Sequence, residues 1–149
     1  GLGSREIWRD ESKTSSKKCG VAVVLLLVLV GFQVALAAGV SWGKAAYGGA
    51  AATLAPAQRV SSGVAAVIWA LVAWFFLSLA IPALPGIVPA SWHIVVLWVL
   101  VALFAIATVM NGISRSRIER AIWTPVSAVL LVCALVNVLQ AIALSGVAG

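Results

Sequence analysis

Four long apolar runs, each free of Asp, Glu, Lys and Arg, constrain this chain more than any other feature of its sequence. They fall at about 20–40, 64–84, 92–113 and 125–144. A helix rises about 1.5 Å per residue, so roughly 20 residues cover the ~30 Å hydrocarbon core of a bilayer. In lipid every backbone N–H and C=O must find its partner inside the protein, and for runs of this length the spanning form is a helix. Short connections make successive helices antiparallel neighbours. The predicted fold is therefore all-α, an integral membrane four-helix up-down bundle.

Composition supports the same reading. Of 149 residues, 63% are hydrophobic and 9% charged, against roughly 45–50% and about 25% in soluble domains. A soluble core of this size cannot hide such a surplus, and the same numbers exclude intrinsic disorder. The charges lie in three patches: Arg5 to Lys18, the pair Lys44 and Arg59, and Arg115 to Arg120. This is charge flanking spans, not a basic face that enters a nucleic-acid groove, so no nucleic-acid partner is expected. Cys19 precedes the first span and Cys133 lies deep in the last. Neither belongs to a CxxC pair or a zinc spacing.

Residues 1–19 form a basic polar N-terminal tail, 20–144 the four-helix bundle and 145–149 a short C-terminal tail. Lys17 and Lys18 mark the start of span 1. Its Ala35-Leu36-Ala37 has the small-residue look of a cleavage site, but the apolar run exceeds a signal-peptide core, so span 1 reads as an uncleaved helix. Pro82 and Pro85 are expected to end span 2. Asn111-Gly112 is expected to stop span 3, and Thr124-Pro125 to cap and begin span 4. Loop 3, Ser114 to Thr124, then reads as a compact basic hairpin. With the N-terminus inside, five Lys and Arg lie on the cytoplasmic side and five outside. The positive-inside count is thus level, and the usual dominance of the first helix favours a cytoplasmic N-terminus.

The runs contain few chemical reagents. His93 stands at the edge of span 3 beside Trp92, without a partner carboxylate, and reads as an interfacial histidine. Gln33, Asn137 and Gln140 are candidates for an intramembrane polar patch. Asn137 and Gln140 share a face at i,i+3, and Gln33 meets them if spans 1 and 4 pack together. The structural alternative is ordinary hydrogen bonding between helices. Gly31, Ala35 and Gly39 recur every four residues and form a candidate helix-packing ridge. Arg115, Arg117 and Arg120 can meet lipid phosphate or an acidic partner, and Trp42 and Tyr47 can serve a docking loop or an aromatic belt. No nucleophile–base pair, carboxylate pair or cofactor motif is visible, so no cofactor is expected.

Several stretches carry a family resemblance. They are Phe32 to Gly39, Trp42-Gly43-Lys44-Ala45-Ala46-Tyr47-Gly48-Gly49, Arg59 to Ala65, Asn111 to Ser116 and Glu119-Arg120-Ala121-Ile122-Trp123-Thr124-Pro125. Over about 31–138 the chain resembles small, uncharacterised four-span membrane proteins of high-GC Gram-positive, actinobacterial type. The resemblance implies a bacterial plasma membrane and four spans, and carries no activity and no catalytic residue. The expected function is non-catalytic: an accessory or stabilising subunit of a larger membrane complex, or a homo-oligomer, with membrane lipids and another membrane protein as partners. A small channel or transporter for neutral or lipid-like cargo is the second reading, and an enzyme acting on lipid phosphate the third.

Overall fold

The computed structural model describes residues 2–39 and 55–148. Among these there is no strand. Helix α1 is Leu2–Ala37, α2 is Pro56–Ala80, α3 is His93–Gly112, preceded by a 3₁₀ turn at Ala90–Trp92, and α4 is Arg117–Ala148. All four contain a stretch long and apolar enough to cross a membrane: Gly20–Ala37, Pro56–Ala80, Ala90–Gly112 and Arg117–Leu144. The chain is an all-α, multi-pass membrane protein.

Three helix starts lie earlier than the apolar runs imply. Helix α1 begins at Leu2, so the polar leader expected as a tail is helical. Helix α2 begins at Pro56, where proline's fixed φ and missing donor suit the first turn. Gln58 three residues into the turn accepts the Ala55 N–H at 3.1 Å. Helix α4 begins at Arg117, so Thr124 is not its N-cap and Pro125 is not its first residue. Pro125 lies inside the helix, and the Thr124 hydroxyl is buried with no partner among the described residues. The true start is a capping arrangement around Ser116. The Ser116 Oγ accepts the Glu119 N–H at 3.2 Å, as an N-cap serine does for the third residue of its helix. The return bond runs through Ser114: the Ser116 N–H donates to Ser114 Oγ at 3.2 Å, and the Ser114 hydroxyl donates to the Glu119 carboxylate. This is a capping box with a serine inserted in one arm. Loop 3 thus shrinks to a few residues, and Arg117 and Arg120 belong to a helix.

The helix ends follow local chemistry. Ile81 takes an extended backbone (φ −123°, ψ 93°), as the residue before Pro82 must. Helix α1 ends in a turn: Ala38 N–H donates to the Val34 carbonyl at 2.9 Å and Gly39 N–H to the Leu36 carbonyl at 3.1 Å. Gly39 sits at φ +96°, a backbone that glycine adopts readily after a helix. Arg59 of α2 donates its Nε–H to the Ala37 carbonyl at 3.0 Å, which places a cation on the negative end of the α1 dipole.

The helices form two close hairpins, α1 with α2 and α3 with α4, joined along α1 and α4. Lipid tails are as apolar as leucine, so packing and polar contacts, not expulsion from water, hold such helices together. Small residues permit the closest approach: a Cβ on Gly63 would stand 3.8 Å from that of Ala37, and Ala22 and Ala134 are fully buried. The core continues through Leu26, Phe76, Leu97, Leu100, Phe104, Leu130 and Val138. At the end where α2 gives way to α3, Trp74 donates its indole N–H to the Pro85 carbonyl at 2.9 Å.

Candidate functional site

Trp69 of α2 and Phe104 of α3 stack with centroids 5.8 Å apart and planes 17° from parallel. Phe32 of α1 meets Trp123 of α4 at 4.7 Å, tilted by 51°. Both pairs cross from one hairpin to the other. Between them lies a half-open cleft of about 330 Å³, at the low end of the roughly 300–1,000 Å³ usual for small-molecule sites. Its apolar walls are Leu29, Phe32, Trp69, Phe104, Ala107, Trp123, Val126 and Leu130, and its polar groups are Gln33, Asn111, Glu119 and Ser127.

These polar groups differ in how they are satisfied. Asn111 donates its amide N–H to the Ser127 hydroxyl oxygen at 3.0 Å, and so ties α3 to α4. Glu119 accepts the Ser114 hydroxyl in the cap of α4. Gln33 is the exception: its Oε1 is buried and has no hydrogen-bond partner among the described residues. A buried acceptor left unpaired costs about 1–3 kcal/mol.

The polar patch expected from sequence does not assemble. Spans 1 and 4 do pack together, but they run antiparallel. That register sets the C-terminal half of α1 against the N-terminal half of α4, so Gln33 shares the cleft with Ser127. Asn137 lies ten residues further along α4, roughly 15 Å at helical rise. There it is buried and donates to the Cys133 carbonyl of its own helix at 2.7 Å. Gln140, half-buried, is one turn beyond it and also outside the cleft.

The glycine ridge divides as well. Gly31 is exposed, with open space where a Cβ would stand. Ala35 is half-buried, and Gly39 lies beyond the helix as its cap. Of the loop arginines, Arg115 and Arg117 are exposed, while Arg120 is half-buried and donates to the Ser114 carbonyl. Trp42 and Tyr47 lie outside the described residues. His93 donates from Nε2 to the Val88 carbonyl at 3.1 Å, and its ring meets that of Phe75 nearly at right angles, with centroids 5.6 Å apart.

Sequence reasoning treated Asn111 only as a helix stop and missed it as a cleft residue. It also missed the Ser116–Glu119 cap, although the S-x-x-E spacing that signals it stands in the sequence. Among the described residues no group of three His, Cys, Asp or Glu side chains is placed to hold a metal ion. No protein-family model matches the chain, and comparisons with curated proteins and with solved structures return no match.

Proposed function

We propose that the protein works by non-covalent association in a bacterial plasma membrane, as an accessory or stabilising subunit of a membrane complex or as a homo-oligomer. The cleft is the element through which it holds a lipid-like component. One observation carries this reading: the cleft joins aromatic walls to amides and a hydroxyl, groups that bind and orient. Its one carboxylate is engaged in capping α4. The family resemblance in the membrane segments supports the bacterial setting. Purification in a mild detergent followed by native mass analysis tests the proposal. A stoichiometric protein partner, a second copy or a retained lipid is the expected result; a bare monomer overturns it.

The N-terminus is assigned to the cytoplasm, with the cleft towards the outer leaflet. A Ser116→Cys chain lacking its native cysteines should react with an impermeant maleimide in intact cells. Reaction only after permeabilisation reverses the orientation.

A second reading, a carrier for neutral or lipid-like cargo, is favoured by the position of Gln33 in a half-open cleft. Liposome flux abolished by Gln33→Leu supports it, and absence of flux removes it.

A further inference from the structure

Among the described residues, two polar side chains of the spans have a buried atom without a partner, and one of the two lines the cleft. Ser78 donates to the Phe75 carbonyl at 2.8 Å, Thr108 to that of Phe104 at 2.7 Å and Asn137 to that of Cys133. Each turns back on its own helix, the usual resort of a polar group among apolar neighbours. Asn111 reaches Ser127. The unpaired Thr124 hydroxyl does not line the cleft. Gln33 does line it, and its amide oxygen has no partner among the described residues.

We infer that the cleft binds a neutral ring-bearing molecule with a hydroxyl group, which hydrogen-bonds the Gln33 amide. Three features select this class. The Phe32–Trp123 and Trp69–Phe104 pairs give aromatic surface on two sides, and a flat ring gains most from stacking and edge contacts there. The volume, about 330 Å³, suits a small molecule or the ring end of a larger one. The amide turns about a soft terminal torsion, so it presents either its oxygen or its N–H₂ to the cleft. A hydroxyl both donates and accepts, and so matches either orientation. A carbonyl or ether matches only one and leaves Oε1 unpaired. The same chemistry is available from a free phenol-like solute or from a membrane lipid whose head is a hydroxylated ring. This inference rests on the cleft being a binding site.

The test uses the full chain in detergent, titrated with 1-naphthol and with 1-methoxynaphthalene, the same ring with its donor masked. Binding is read from tryptophan fluorescence, since Trp69 and Trp123 line the cleft. Naphthol should saturate and bind about fivefold tighter than the ether, the effect of one ordinary hydrogen bond. Gln33→Leu should erase that preference while keeping ether binding, with an unchanged helical spectrum. Ala107→Phe, which fills the cleft from α3, should weaken both probes. Equal affinities in the natural chain, or a preference that survives Gln33→Leu, overturn the hydroxyl assignment and leave the cleft as a binding site. No saturable binding of either probe, or saturation untouched by Ala107→Phe, overturns both. Mass analysis of a solvent extract of the purified protein separates the sources: a retained hydroxylated lipid identifies the membrane, and an empty extract with naphthol saturation identifies a free solute.

Discussion

Two glycines, Gly31 within α1 and Gly39 just beyond it, illustrate how position decides a residue's role. Gly39 holds φ +96°, and a Cβ there would stand 3.3 Å from the Arg59 guanidinium carbon. A side chain in that backbone region costs about 1–2 kcal/mol, and the crowding would disturb the Arg59 bond to the Ala37 carbonyl. Gly39→Ala should therefore lower unfolding stability in detergent by at least ~1 kcal/mol, measured by circular dichroism. Gly31 is helical and meets open space. Gly31→Ala should be neutral or stabilising by up to about 1 kcal/mol. Equal losses at both sites would show that the two glycines form one packing ridge after all. Sequence spacing joined them because a four-residue period sees only the helix, whereas the turn at Ala38 and Gly39, with its positive φ, takes Gly39 out of it. Gln33 was legible as a polar group in a span, but its company was not. Which residues face it depends on the register of α4, which no local pattern encodes.

At the scale of elements, the spans were legible because apolar length is summed over many residues and tolerates local error. The starts of α2 and α4 were not, since about two turns of mixed polar and apolar residues precede the apolar run in each, and hydropathy does not distinguish such a helix from a loop. In α4 a strong local signal, Thr124-Pro125, pointed to the wrong place. A proline suits a first turn, but membrane helices tolerate it in the interior when neighbours re-satisfy the backbone. The Ser116 cap fixes the start instead. Ser116→Ala removes the acceptor for the Glu119 N–H and should cost about 1 kcal/mol, read by the same unfolding measurement. Ser116→Asp, which keeps an acceptor, should retain most of the stability. Loss in both variants would mean that the serine matters for a contact other than the cap. Helix α1 departs in the same direction, and further. Its polar leader is helical from Leu2 and continuous with the span, in a stretch from Arg5 to Cys19 that contains neither proline nor glycine.

For the molecule as a whole, the hydrogen bonds and aromatic pairs fix which ends lie together. Arg59 on Ala37 and Phe32 on Trp123 bring the start of α2, the end of α1 and the start of α4 to one side. Phe75 against His93 joins the end of α2 to the start of α3 on the other. In a chain without native cysteines, Gln58→Cys and Ser116→Cys should react with an impermeant maleimide from one side of sealed vesicles, and Gly86→Cys from the opposite side. Any other pattern would contradict four antiparallel spans, whichever way the protein is oriented. The seam between the hairpins is thin beside the contacts within them, and Gly86 lies in the connection that links them, where an added Cβ would meet only the Val88 carbonyl oxygen, at 3.7 Å. The two hairpins nevertheless share one core, in which Leu26 and Phe76 of the first lie with Leu97, Phe104 and Leu130 of the second. Two polypeptides, 1–86 and 87–149, expressed together in one cell should therefore find each other in the bilayer and copurify through a tag on either one. A first half that inserts stably but never recovers the second would show that the linkage itself assembles the bundle. Recovery of both would mean that the chain is, in biosynthetic terms, two insertion units in series, the first able to complete its pairing before the second leaves the ribosome.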